Sequence, residues 1–239
     1  MRPQEERPVE IKIAIDGPAG SGKSTLARSL AETLDYLYVD TGAMYRAVAY
    51  LAAKKGLDPA KEEDRARIAE IAAQIEFHFE WQDSDMKLYV DDEDVSDVIR
   101  TPEVERLSSP VSAIPEVREE LVATQQALAQ AGGIVMDGRD IGTVVLPDAD
   151  VKLYVVASPE ERARRRWRQL RERGVSRPYQ TVLLETTERD KRDSSRPVSP
   201  LRPADDAVTI DSTNLTQQEC LERALEIVEG ALRRRGQQL

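Results

Sequence analysis

The chain has 239 residues but one cysteine, one histidine, two phenylalanines and two tryptophans. Cys220 alone excludes an intramolecular disulfide and a zinc site built from several cysteines, in keeping with a reducing compartment. His78 has no cysteine or histidine near it and sits on the polar side of an alternating stretch, so exposure to solvent is expected of it rather than catalysis. No apolar run approaches the roughly 20 residues of a membrane span. Residues 1–10 carry no apolar centre of a secretory leader, so a disordered tail on a cytoplasmic protein with no membrane partner is expected. The acidic run Asp91-Asp92-Glu93-Asp94 lacks the alternating ligands and glycine of an EF-hand and reads as a solvated hairpin loop. No Asn-Lys-x-Asp guanine motif of a regulatory GTPase occurs.

The net charge is −10, which argues against general nucleic-acid binding, but it is unevenly placed. Residues 160–202 are net +6, leaving −16 for the remainder. A basic island in an acidic chain suits a local polyanion rather than a long duplex.

What is present begins with an apolar strand, Ile11 to Asp16, followed by Gly17, Pro18, Ala19, Gly20, Ser21, Gly22, Lys23, Ser24 and Thr25, then a helical pattern from Leu26. This is the spacing of a P-loop, whose glycines let backbone N–H groups converge on phosphates while the helix N-terminus adds its positive end. Lys23 is expected to reach the β- and γ-phosphates of a nucleotide and the Ser24 hydroxyl to ligate its Mg²⁺ directly.

Downstream, Tyr36 to Val39 reads as a strand ending at Asp40-Thr41-Gly42. The next helix buries Met44, Ala47, Val48 and Leu51, which leaves Arg46 off that stripe and free to face a cleft. Ile75, Phe77, Phe79 and Trp81 alternate with polar residues and are answered by Met86 to Val90 across Asp83-Ser84-Asp85. That hairpin does not suit a sheet built from parallel crossovers, so residues 57–110 read as an insertion. Pro115 opens a helix that Gly132-Gly133 closes, and Ile134 to Met136 is a strand ending in Asp137. A carboxylate there fits the Walker-B role, which acts on Mg²⁺ through water. Arg139 and Asp140 follow, at the carboxyl end of a strand where open α/β sheets bind ligands.

Val151 to Val156 is a further strand. Ser158 and Pro159 begin an arginine-dense helix whose buried stripe is Ala163, Trp167 and Leu170. Arg189, Asp193 and Arg196 share a face of the helix after it. Ala207 to Ile210 gives a fifth strand, and Thr216 to Glu219 spells a capping box before the last helix, with Cys220 beside its apolar stripe.

The P-loop, Asp40-Thr41-Gly42-Ala43-Met44-Tyr45-Arg46, Gly138-Arg139-Asp140-Ile141-Gly142-Thr143 and Glu188-Arg189-Asp190, in that order, resemble the bacterial cytidylate kinase family of nucleoside monophosphate kinases from about Ile11 to the last helix. The resemblance implies an α/β fold: a P-loop NTPase-type five-stranded parallel sheet flanked by helices, over residues 11–56 and 111–239. It also implies a helical lid at about 159–200 and an α+β monophosphate-binding insertion at 57–110. It implies that Thr41, Arg46 and Arg139 hold the acceptor phosphate, that Ser109, Arg118 and Asp140 read cytosine, and that Arg189 and Asp193 contact the sugar. Catalysis falls to Lys23, Asp137, Arg189 and Arg196. The chemistry is consistent, since a carboxylate accepts from the cytosine amino group and Arg and Ser suit its acceptors.

The expected activity is in-line transfer from Mg-ATP to CMP or dCMP by a monomer with no nucleic-acid partner. The acceptor oxygen is already anionic near neutral pH and needs no strong base. Two other readings stand beside it: a P-loop kinase of another monophosphate or a small alcohol, and a nucleotide-dependent RNA-binding module using the arginine-dense helix.

Overall fold

The computed structural model describes residues 10–82, 85–195 and 199–234. The first half runs β1 (Lys12–Asp16), α1 (Lys23–Leu34), β2 (Leu37–Asp40), α2 (Thr41–Lys54), α3 (Glu62–Gln74), β3 (Phe77–Gln82), β4 (Asp85–Val90), β5 (Glu93–Asp94), α4 (Pro102–Val111) and α5 (Pro115–Leu128). The second half runs β6 (Ile134–Gly138), β7 (Val151–Val156), α6 (Pro159–Glu172), α7 (Tyr179–Ser194), β8 (Val208–Asp211) and α8 (Gln217–Arg234). β1 lies at the centre of a parallel sheet ordered β2-β6-β1-β7-β8.

Side-chain alternation assigns the two faces of this sheet. Ile13 and Ile15 of β1, with Val135 of β6, pack on Leu26 and Leu30 of α1 and on Ala224, Val228 and Leu232 of α8. Ala14, Ile134 and Met136 face the other way, onto Met44 and Val48 of α2, Ile68 of α3 and Leu121 of α5. A parallel sheet covered on both faces needs apolar side chains at every position, hence the uninterrupted runs of its central strands.

The caps form as the sequence predicts. Ser158 accepts from the Glu161 N–H at 3.2 Å, and Thr216 and Glu219 cap each other, with Glu219 Oε2 accepting from the Thr216 N–H at 2.8 Å. Cys220 is buried with the α8 stripe, and that burial raises its thiol pKa.

β3, β4 and β5 make a separate antiparallel sheet, with Phe79 opposite Leu88 and Trp81 opposite Met86. Leu88 and Val90 are buried, whereas His78 is exposed. Two of the three residues expected in its turn, Asp83 and Ser84, lie outside the described residues. The acidic run is not wholly loop: Asp91 and Asp92 turn the chain at φ +47° and +68°, and Glu93–Asp94 pairs with β4 as β5. Among the described residues no helix is long and apolar enough to cross a membrane.

The topology brings the carboxyl ends of β1, β2 and β6 together, and each carries an aspartate: Asp16, Asp40 and Asp137. α6 and α7 follow β7 as a helical pair beside those ends.

Candidate active site

The loop between β1 and α1 takes its shape from both glycine and clamping side chains. A Cβ on Gly17 would sit 2.1 Å from the Val155 carbonyl oxygen, and Gly20 and Gly22 adopt φ +77° and +90°. Alternate loop carbonyls are claimed by donors from distant elements. Arg139 Nη1 donates to Gly17 O at 2.9 Å, Arg162 Nη1 to Ala19 O at 3.3 Å, and Ser212 Oγ to Ser21 O at 2.7 Å. In a trans peptide the N–H opposes the C=O, so holding the Ala19 and Ser21 carbonyls turns the Gly20 and Gly22 N–H groups to the other side. Those N–H groups, with the start of α1, form an anion cradle. The Ser21 hydroxyl is buried with no hydrogen-bond partner among the described residues, while Thr25 on α1 is exposed.

Ser24 Oγ donates to Asp137 Oδ2 at 2.7 Å, and Tyr38 OH donates to Oδ1 at 2.8 Å. The Asp137 carboxylate is thus fixed directly beside the P-loop hydroxyl. Burial, then the nearby Asp40 charge, raises the Asp137 pKa. Lys23 is also buried, and burial with the neighbouring Arg139 charge pushes its ammonium down to about 7. A hydroxyl and a carboxylate in contact, next to a desolvated lysine, form a hard-oxygen donor set suited to a magnesium nucleotide. Asp16 takes another role: it accepts from the Ile141 and Gly142 N–H groups, both at 2.8 Å. Burial outweighs those two bonds and raises its carboxyl to about 6.

The predicted acceptor residues line the neighbouring strand ends. Thr41 is the first residue of α2 rather than a loop residue, and its hydroxyl donates to the Asp137 carbonyl at 2.8 Å. Arg46 lies off the buried stripe of α2, as expected, and is paired there with a carboxylate. Asp40 caps α2 by accepting from the Ala43 N–H, and its second oxygen accepts from Arg46 Nη2 at 2.8 Å. Arg46 Nε remains buried, with no hydrogen-bond partner among the described residues. Such an orphaned cationic donor is a natural contact for an anion.

Arg118 and Asp140 form a buried ion pair, and Arg118 also donates to the Ser112 carbonyl at 3.4 Å and lies 5.6 Å over the Tyr45 ring. Ser109 is half-buried on α4, where its carbonyl accepts from Ser112 Oγ at 2.9 Å. Arg139 bridges α7 and the P-loop, with Nε on Asp193 of α7 at 3.1 Å and Nη1 on the Gly17 carbonyl. Arg189 is solvent-exposed on α7. Arg196 lies outside the described residues.

Sequence reasoning missed several of these partners. Arg162 is buried beside Ala163, whereas Trp167 and Leu170 are only half-buried. Its guanidinium holds Asp190 of α7 through both nitrogens, at 2.8 and 2.5 Å, as well as the P-loop carbonyl of Ala19. Much of the arginine density of α6 is internal: Arg164 and Arg165 pair with Glu161, and Arg166 pairs with Glu105 of α4. The one-turn π-helix Ile141–Val145 after Asp140 was also unforeseen. A carboxylate at the end of each apolar strand was the signal that would have found Asp16 and Asp40 along with Asp137.

The sequence profile described as cytidylate kinase matches residues 13–230. A cytidylate kinase of Streptococcus thermophilus is 51% identical over 208 residues, 87% of this chain and 91% of its own length. One from Enterococcus faecalis is 45% identical over 96% of this chain and 99% of its own. Among solved structures, a shikimate kinase of Bacteroides thetaiotaomicron is 9% identical with a TM-score of 0.47, over 92% of this chain and 99% of its own.

Proposed function

The chain belongs to the cytidylate kinase family, and from that premise we propose how its residues divide the work of phosphorylating CMP with ATP. The Gly17–Thr25 loop holds the donor triphosphate, and Lys23 stabilises charge on the transferring phosphoryl group. Phosphoryl transfer has a loose transition state, so positioning and electrostatics carry the rate. A bound Mg²⁺, with Ser24 as direct ligand and Asp137 acting through water, would neutralise charge on the β- and γ-oxygens.

Thr41, Arg46 and Arg139 take the acceptor phosphate. Ser109, Arg118 and Asp140 read cytosine, and Arg189 and Asp193 hold the sugar, with Arg196 adding to the lid's positive charge. Residues 57–110 act as the monophosphate-binding insertion and about 159–200 as the lid, in a cytoplasmic monomer that accepts dCMP as well as CMP.

The observation that carries the acceptor reading is the buried Arg118–Asp140 pair, which presents donors and an acceptor side by side. Cytosine offers the complement: an amino donor next to ring-nitrogen and carbonyl acceptors. A coupled assay across nucleoside monophosphates tests the assignment. CMP and dCMP are expected to lead; preference for AMP, GMP or shikimate would overturn it.

A further inference from the structure

Four arginines of the cleft each meet a carboxylate, and three of those carboxylates are held firmly. Asp40 caps α2, Asp140 is buried with Arg118, and Asp193 is buried against Arg139. Glu105 is different. It lies on α4, its side chain keeps 30% of its surface, and it meets Arg166 of α6, Nη2 to Oε2 at 2.5 Å. Its charge also acts on Arg46 of α2 and Arg189 of α7. One half-exposed carboxylate, on a helix that packs against α2, is therefore paired with Arg166 and within electrostatic reach of two arginines assigned above to CMP.

We propose that Glu105 is a built-in counter-anion that the acceptor phosphate displaces, and that its displacement releases Arg166 to the transferring phosphoryl group. The idea rests on the reading of Arg46 as an acceptor-phosphate ligand. A nucleoside monophosphate carries between one and two negative charges near neutral pH and three acceptor oxygens, against one charge and two oxygens for Glu105. It can outcompete the carboxylate for a guanidinium cluster. While Arg166 is held on α4, ATP alone does not recruit it, so full electrostatic stabilisation waits for the acceptor. Glu105 is on this account a positioning residue: it sets the apparent affinity for CMP and restrains ATP hydrolysis without touching the reacting atoms.

The test is Glu105→Gln, which keeps size and shape and removes the charge. The KM for CMP is expected to fall about 3- to 10-fold, with inorganic phosphate becoming a correspondingly stronger competitor of CMP. ATP hydrolysis without CMP is expected to rise by a similar factor, while Tm stays near that of the parent. If Glu105 acts through Arg166, placing Glu105→Gln on an Arg166→Gln background leaves hydrolysis no higher than Arg166→Gln alone. A CMP KM and phosphate inhibition within about twofold of the parent, or a raised KM, would overturn the proposal. Arg46→Ala separates the two claims. If it raises the KM for CMP while Glu105→Gln does nothing, the counter-anion fails and the acceptor reading stands. If Arg46→Ala also does nothing, the acceptor reading fails first.

Discussion

The donor and acceptor halves proposed for the cleft are built from different materials. The donor half is backbone: glycines at positive φ, carbonyls clamped from behind by Arg139, Arg162 and Ser212, and N–H groups turned to the opposite side of the loop. The acceptor half is side chain: Arg46 with Asp40, Arg118 with Asp140, Arg139 with Asp193 and Arg166 with Glu105. Backbone cradles are rigid and indifferent to the base, which suits a common donor. Ion pairs can exchange partners, and a carboxylate beside a guanidinium can discriminate one base edge from another.

The largest effect is expected at Lys23, which belongs to the donor half alone. Lys23→Ala should lower kcat by about 100- to 1,000-fold, the scale of losing one group that stabilises transition-state charge, while the KM for CMP moves only a few-fold. A comparable loss of CMP affinity in steady-state kinetics would break the division between the halves.

Gly17→Ala tests whether the donor half depends on backbone shape. Its Cβ would fall 2.1 Å from the Val155 carbonyl oxygen, so β7 or the loop must move. Denaturant unfolding is expected to show a loss of about 3 kcal/mol, and ATP binding should weaken more than CMP binding.

Asp16 fastens the donor strand to the segment that follows Arg139 and Asp140, and its effect depends on pH. An acid whose pKa is raised by folding stabilises the fold below its unfolded value and surrenders that stabilisation as pH climbs through the folded value. For Asp16 the loss runs from 3.8 to about 6. The parent should therefore lose about 2 kcal/mol more than Asp16→Asn between about pH 4.5 and 6.5, from the usual 1.36 kcal/mol per unit. Parallel stability curves for the two proteins would contradict the raised pKa.

The smallest effect is expected at Ser212, one clamp among three. Ser212→Ala removes the bond to the Ser21 carbonyl, worth about 1 kcal/mol, and should raise the KM for ATP by roughly 2- to 10-fold with the KM for CMP unchanged. Equal changes in both would mean that the clamps serve the whole cleft.

The same division governs what the sequence revealed. The P-loop was legible because glycine spacing within nine residues specifies a backbone shape. The central strands were legible because burial on both faces forces continuous apolar runs. The capping residues Ser158 and Thr216 were legible because they act on helix turns next to themselves. The pairings were not legible. Arg139 meets Asp193 54 positions away, Arg166 meets Glu105 61 away, and nothing in local periodicity records either. Arg46 illustrates the limit: its position off the apolar stripe of α2 was readable, but its attachment to Asp40 required the cap geometry of the helix start. Arg162 belongs to an arginine-dense helix whose expected buried stripe does not include it, and its burial became visible only once α6 lay against the P-loop and α7.

The central claim is that the acceptor half recognises cytosine through the Arg118–Asp140 pair. The most direct measurement is the ratio of kcat/KM for CMP to that for UMP in the parent, Arg118→Ala and Asp140→Ala, with circular dichroism confirming that each variant is folded. The ratio is expected to fall about 10- to 100-fold in both variants, the discrimination carried by a paired base-edge contact. A folded variant of either kind that retains the parental ratio would contradict it.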